Sequence, residues 1–516
     1  DCGSAHICND VGSAGIPCGW CWDSSQTVGQ VHGGRSGGAD GPTDGGQCGD
    51  WTFDNSTCHL HVDCPALPAC LSIAGTYCGW CDDMQRALRG NSSGPMDGSC
   101  SHWVWDHGDC PQTWGPEQIH LSYVSEGSDM WVTWSTRANG TSFVQYKSAA
   151  TGKVGTAAAN TSLFSTNTLG LQYVHRALMA GLAPGERYSY VVHTGENASA
   201  PLSFVSKPAD EGHAARLLVY GDMGRHGGAQ TLQYVMREAG EGIYDAIIHI
   251  GDFAYDLQDD GGRNGDDFMN RVQPLAGTMA YMTTPGNHEI DFLAMFLNYR
   301  SRFTMPRWDV NSGYDMWHSW NLGNVHFISY SSEVFFVRSQ DVARQRAWLL
   351  QDLEQANARR DTQPWVVAFG HRPMYCSNTD GDDCTTPASK VRAGLEQLFH
   401  EQGVDVVIEA HEHSYERLWP VFNESVTQQD YENPKAMVHI VSGQAGCNEN
   451  DGACVNGIGE PLGPWSAFRS SREGTYSYGR LFAPNATHLQ WQSVEAEAGV
   501  VEDEIWIVQE SHGPRS

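Results

Sequence analysis

Ala-Ile-Ile-His-Ile-Gly-Asp-Phe-Ala-Tyr, residues 246 to 255, is the stretch around which the chain organises itself. Ala246 to Ile250 is a short β-branched run and reads as a buried strand. Gly251 breaks it, Asp252 stands just past the break, and Tyr255 follows three residues on. Other runs end in the same way. Leu217 to Tyr220 leads into Gly221-Asp222-Met223-Gly224, and an apolar run leads into Gly286-Asn287-His288-Glu289. Trp365 to Phe369 leads into Gly370-His371-Arg372, and Val404 to Glu409 into Ala410-His411-Glu412-His413. Met437 to Val441 adds another strand-like run. Helical patterns lie between some of them, at Gln230 to Glu241, Val342 to Arg359 and Val391 to Gln402. Strands alternating with helices predict a layered α/β domain with largely buried strands. Chemistry in such domains gathers in loops beyond the carboxyl ends of the strands.

A single Gly-Asp after a strand is an ordinary turn. Five such endings in order carry more information, because of what they bear. Asp222, Asp252, Tyr255, Asn287, His371, His411 and His413 supply carboxylates, an amide oxygen, imidazoles and a phenol. These are ligands for hard or borderline metal ions. Two carboxylates on neighbouring strand ends can share two ions. His411 and His413, one residue apart, point to the same side if that stretch stays extended. Two cations about 3.5–4 Å apart clamp a phosphoryl group and acidify a bound water.

Upstream the texture changes. Pro111 to Pro116 reads as a linker, and residues 113–207 carry short alternating strands: Ile119 to Tyr123, Met130 to Trp134 and Ser142 to Tyr146. Leu182 to Val192 is a turn feeding a strand with Tyr188 and Tyr190 at alternate positions, similar to the tyrosine corner of an immunoglobulin-like or fibronectin type III sandwich. No catalytic cluster occurs there, so a scaffolding role is expected.

The first 112 residues contain a repeat. Cys2, Cys8, Cys18, Cys21, Cys48 and Cys58 form one copy; Cys64, Cys70, Cys78, Cys81, Cys100 and Cys110 form the other. Both contain Cys-Gly-Trp-Cys, and both end in a nine-residue gap between the last two cysteines. Cys-x-x-Cys also serves as a redox motif or a zinc half-site. Six cysteines per copy without matching histidines favour disulfides, which replace the core that so short a segment lacks. The repeats resemble the plexin–semaphorin–integrin (PSI) module, which implies an extracellular protein partner.

The charge balance narrows the partners. The 516 residues carry a formal net charge of -30, so nucleic acid and anionic membrane are repelled at long range. A phosphate-bearing substrate is repelled too, unless a metal pair supplies local positive charge. No apolar run is long enough to span a membrane. The chain enters its cysteine pattern directly after Asp1, as a processed product would. Sixteen cysteines and the sequons at Asn55, Asn91, Asn139, Asn160, Asn197, Asn423 and Asn485 favour secretion, or the lumen of the secretory or vacuolar pathway, over the cytosol.

The five segments together resemble the metallophosphoesterase signature. The tyrosine of Gly-Asp-x-x-Tyr makes the chain similar to the purple acid phosphatases in particular. The resemblance runs from about Glu117 to Glu510 and includes Tyr478-Gly479-Arg480-Leu481 and Trp506-Ile507-Val508. It does not cover the two PSI-like repeats (1–60 and 61–112); beyond them it implies a fibronectin III-like sandwich (113–207) and an αββα metallophosphoesterase domain (208–516). It implies that Asp222, Tyr255 and His413 hold a first ion, Fe(III). Asn287, His371 and His411 would hold a second, Fe(II), Zn or Mn, with Asp252 as the bridge. The implied activity is that of an acid phosphatase on phosphate monoesters. A metal-activated hydroxide attacks phosphorus in line, and His288 stabilises the pentacovalent state or protonates the leaving alkoxide.

Two departures stand out. Ala410 occupies the position of a family glycine. The loop Cys376 to Cys384 lacks the histidines that contact substrate in many relatives, and resembles an animal-type, long-chain branch. Cys376 with Cys384, and Cys447 with Cys454, are candidate small disulfide loops. Asn378 and Arg372 are candidates for holding phosphate; the acidic tip reads equally as a solvated turn. A different class also stays open: an extracellular structural or adhesion protein that keeps the phosphatase fold with little or no activity.

Overall fold

The structure is a computed structural model that describes residues 115–515 apart from 166–170, 210–211, 226, 292–294, 309–315, 379–380, 448–460 and 471–473, and short strand pieces before 115. The chain divides into two compact units, 1–111 and 112–516.

In the first unit each Cys-Gly-Trp-Cys segment forms a strand inside a small antiparallel sheet. Cys18–Trp22 lies between His32–Gly38 and Asp50–Thr52. Cys78–Cys81 lies between Arg86–Asn91 and Trp103–Val104. The two sheets share one strand order. Cys81 is buried and bonded to Cys100. The cysteines 2, 8, 48, 58, 64, 70 and 110 lie outside the described residues, as do Asn55 and Cys454.

Two sheets of the second unit carry the parallel strands. Ala215–Tyr220, Ala246–Ile250 and Ala280–Thr284 run parallel, joined by the helices Ala229–Ala239 and Arg263–Ala276. Val325–Ser329, Trp365–Phe369, Val406–Glu409 and Val438–Ser442 run parallel in the other. Their helices are Ser339–Asn357 and Lys390–Glu401. The alternation of a strand explains the layering. Trp365, Val367 and Phe369 enter one core with Val219 and Ile248 of the opposite sheet. Val366 and Ala368 enter a second core with Leu349 and Leu353 of one helix and Leu395 and Phe399 of the other. Continuous apolar runs are therefore required, because both faces of these strands are buried.

The segment read as a sandwich contributes strands to two different sheets. Glu117–Tyr123 lies parallel to Ala280–Thr284, with Leu121 opposite Ala280. Through that pairing the strands Asn160–Ser165, Leu171–Met179 and Met130–Thr136 continue into a ten-stranded sheet with the α/β strands. Ser142–Ser148, Arg187–Thr194 and their neighbours form a separate five-stranded sheet. Tyr188 Oη accepts from the Ala183 N–H at 2.9 Å, while Tyr190 Oη donates to the Gly277 carbonyl at 2.6 Å. Tyr190 thus ties this segment to the end of the helix Arg263–Ala276. A polar knot does the same: Arg302 Nη1 donates to Asp266 at 2.7 Å and to Gln118 Oε1 at 3.1 Å, and Arg137 Nη2 reaches Asp266 at 2.5 Å.

His318, on the strand His318–Leu322, is a cost carried by this core. It is buried, and neither ring nitrogen has a hydrogen-bond partner. Burial, then the charge of Arg307, push its pKa down to about 3 from an ordinary 6.5. The unfolded chain binds that proton first, so the contribution to stability is whole above about 6.5 and is lost as pH falls through about 3. His318→Phe keeps the stacking on Trp320 and removes both orphan nitrogens. It is expected to raise the unfolding free energy by about 1–3 kcal/mol at pH 8, and by about 2 kcal/mol more at pH 5. Urea unfolding at the two pH values measures this, and equal gains at both would contradict it.

Candidate metal centre

Every strand that carries a predicted site residue ends at the same edge of the two sheets, and the backbone turns sharply there. Asp222, Asp252, Tyr255 and His411 all have left-handed φ values, between 50° and 68°. Such residues cost roughly 1–3 kcal/mol each and persist only where the surroundings hold them. Here glycines make the room. A Cβ on Gly251 would stand 2.6 Å from His371 Nδ1 and 2.7 Å from Gly286 N. A Cβ on Gly221 would stand 2.5 Å from the Cβ of Ala410. Ala410 is therefore accommodated where relatives carry glycine, because its neighbour Gly221 has no side chain.

The predicted residues come together in two groups. Tyr255 Oη lies 2.7 Å from His413 Nε2 and 3.4 Å from Asp222 Oδ1, and His413 Nε2 is 3.7 Å from Asp222 Oδ1. His371 Nε2 lies 3.0 Å from Asn287 Oδ1, 3.3 Å from Asp252 Oδ2 and 3.2 Å from His411 Nδ1. The His411 N–H donates to Asp222 Oδ2 at 2.9 Å and joins the two groups. Asp222, Asp252 and His371 are fully buried.

The electrostatics are those of a cation site. Burial, partly offset by His371 and reinforced by Asp252, drives the pKa of Asp222 well up. Burial opposes ionisation of Asp252 too, but His371 outweighs it and the net shift is strongly downward. Burial also opposes a charged His371; Asp252 and Asp222 override it and raise His371 to about 10. A field that holds a proton at that ring stabilises any cation beside it. His371 Nδ1 faces the Ile250 carbonyl at 2.9 Å, so in the neutral ring it donates there and Nε2 carries the lone pair toward Asp252 and Asn287. The donor set thus fits a pair of metal ions. Asp252, His371 and His411 present ligand atoms within 4.8 Å of one another.

Several supporting residues were not singled out from sequence. Glu289 accepts from the N–H groups of Asp252 and Gly286, both at 2.8 Å, and of Phe253 at 3.1 Å. It stands inside the quoted Gly-Asn-His-Glu segment. The Asn264 amide donates to the carbonyls of Ala254, Tyr255 and Asp256, and so holds the Tyr255 turn. His288 donates its backbone N–H to Asp252 Oδ1 at 3.0 Å, and its Nδ1 lies 3.2 Å from Asp256 Oδ1. Asp256 is the residue after Tyr255; Asn264 and the buried Glu333 left no local signal.

Cys376 and Cys384 form a disulfide. Cys447 is also disulfide-bonded. Asn378 is buried, and its amide is committed to Glu412. Arg372 is held by Glu333 at 3.0 Å and Asp382 at 3.2 Å, with Nη1 2.9 Å from His411 Nε2. The sequons at Asn139, Asn160, Asn197, Asn423 and Asn485 are exposed; the side chain of Asn91 lies outside the described residues.

Comparison with known proteins gives the same picture. Residues 116–206 match the family model "Purple acid Phosphatase, N-terminal domain". Residues 215–415 match "Calcineurin-like phosphoesterase", and 436–504 match "Iron/zinc purple acid phosphatase-like protein C". The chain is 40% identical to "Acid phosphatase type 7" of Mus musculus over 411 residues, 76% of this chain and 91% of the relative. It is 29% identical to "Purple acid phosphatase 18" of Arabidopsis thaliana, covering 76% and 84%. A purple acid phosphatase from yellow lupin seeds superposes with a TM-score of 0.66 at 21% identity, over 77% of this chain and 74% of that one, which speaks to fold alone.

Proposed function

From the premise that the chain belongs to the purple acid phosphatases, alongside the animal acid phosphatases type 7, we propose that it hydrolyses phosphate monoesters at the centre described above. Metal-dependent phosphoesterase chemistry is the family's; the monoester preference and the residue roles are our reading. The observation that carries it is the convergence of seven donors into two groups about Asp252. Asp222, Tyr255 and His413 would hold one ion, Asn287, His371 and His411 the other, with Asp252 shared. A phenol with carboxylates suits Fe(III) in the first place; Fe(II), Zn or Mn suits the second. Bound there, the ions supply Lewis acidity and an acidified water.

The protein's own groups do the rest. Asp256 accepts a hydrogen bond from His288 Nδ1–H and fixes the ring's orientation, leaving Nε2 to handle the proton delivered to the leaving oxygen. The edge-on packing of His288 against Tyr255, with centroids 4.6 Å apart, keeps the ring beside the centre. Arg372 and Asn378 are proposed to help hold the phosphate, each braced by a carboxylate, Glu333 and Glu412.

The finer organisation belongs to the same proposal: domains at 1–60, 61–112, 113–207 and 208–516, secretion with glycans at the sequons, and a partner protein for the cysteine-rich repeats. No described helix is long and apolar enough to cross a membrane.

The test is a metal analysis of the purified protein with a visible spectrum and an aryl phosphate assay at acidic pH. About two ions per chain and a tyrosinate-to-iron band are expected. His288→Ala should keep the ions and lose about 10²-fold in turnover. A metal-free protein, or undiminished turnover in the variant, would overturn the reading.

A further inference from the structure

The loop Cys376 to Cys384, which has no histidine, brings a carboxylate to a histidine of the centre. Asp382 Oδ2 makes a short contact with His411 Nε2. From the geometry we infer that Asp382 is the positioning residue for His411: it accepts a hydrogen bond from Nε2–H and thereby leaves the Nδ1 lone pair facing the metal centre. This rests on the metal reading above and assigns to that reading a residue outside the seven donors.

The two neighbours of Nε2 make opposite demands. Arg372 Nη1, at 2.9 Å, can only donate; ionised Asp382 can only accept. If Nε2 accepted from Arg372, the proton would sit on Nδ1, which faces His371 Nε2 at 3.2 Å. If Nε2 donates to Asp382, Nδ1 is the lone pair beside Asn287, Asp252 and His371. Arg372 has other work: Nε is held by Glu333 at 3.0 and 3.2 Å, and Nη1 donates to Asp382 at 3.2 Å. The guanidinium therefore steadies the carboxylate, and the carboxylate sets the tautomer. A carboxylate behind a metal-bound histidine raises its basicity and fixes its plane.

The described residues on either side of Asp382 in sequence are fastened. The Cys376–Cys384 disulfide closes it. Trp465 Nε1 donates to the Cys376 carbonyl at 2.9 Å, and the Ser377 N–H donates to Glu416 at 3.0 Å. Asp383, the next residue, accepts from Ser389 Oγ at 2.7 Å and the Lys390 N–H at 2.9 Å, which fastens the loop to the start of the helix Lys390–Glu401. His371, by contrast, uses the Ile250 carbonyl for the same purpose, so each histidine of this group has its own orienting acceptor.

The experiment compares the full-length wild type with Asp382→Asn and Asp382→Ala, each stripped and then reloaded with Zn²⁺ alone. Zinc retained per chain is read against increasing chelator, with the unfolding of the stripped proteins in parallel. The wild type should hold two ions. Both variants should unfold cooperatively when stripped, and should release one of the two ions at about 10–100-fold lower chelator while keeping the other. Asn, which still accepts a hydrogen bond, should lie between wild type and Ala. Unchanged release in both variants would overturn the inference, as would loss of both ions together with cooperative unfolding. A wild type that binds no zinc would instead remove the metal reading on which it stands.

Discussion

Asp252→Ala is expected to lower aryl phosphate turnover by at least about 10³-fold, beyond what the loss of one charge-stabilising group costs at an intact site. Three functions end together. The carboxylate lies 3.3 Å from His371 Nε2, so the ring loses the charge that most favours its cationic form. It accepts the His288 backbone N–H at 3.0 Å, so the proton-handling ring loses an anchor. In the proposed site it is also the ligand both ions would share, so each would lose a donor. Metal content should fall below two per chain in the same sample. Replacement by Asn, of the same shape, should rescue little, because the charge is what the site requires. Turnover within tenfold of wild type, at full metal content, would show that Asp252 is not the shared ligand.

Arg302→Ala should destabilise the second unit by about 3 kcal/mol, the low end of what breaking a buried ion pair costs, because Arg137 stays on Asp266 at 2.5 Å. The Arg302 side chain is 1% exposed and that of Asp266 8%, so water cannot replace the lost partner. Arg302 also donates to the Gly262 carbonyl at 2.9 Å and to Gln118 on the first strand of the unit. Glu117 stands in the same knot; burial, then the charge of Asp266, raise its pKa to about 7. With Arg302 gone, Asp266 and Glu117 lose a common counter-charge. Adding Asp266→Leu to Arg302→Met should recover much of the loss, since Arg137 then keeps Glu117 as its partner. Guanidinium unfolding of the three variants measures it. A loss under 1 kcal/mol in Arg302→Ala would show that the knot is solvated.

The α/β strands were legible because both of their faces are buried and their apolar runs end in a glycine or an alanine. Other elements left weaker signals. The helix Arg263–Ala276 contains Pro274 and buries Asn264, Asp266 and Asn270, so its polar residues hide its inner face. Asn264 was invisible as a site residue for the same reason: its partners are three backbone carbonyls, which no side-chain pattern records. The sandwich reading of 113–207 followed from local alternation, which reports a strand and its faces but not which strand lies beside its edge. The parallel pairing of Leu121 with Ala280 joins positions 159 residues apart.

The same division runs through the metal centre. The candidate donors are a matter of residue type and order, and Asp252, Tyr255 and their proposed partners could be picked out from the chain, because ligand chemistry resides in single side chains. Their aim could not. Left-handed turns at four of the positions, glycines cleared for neighbouring rings, and an acidic loop clipped onto His411 exist only once distant segments meet. Tautomer, field and register depend on distances across the fold, and a sequence contains none of them.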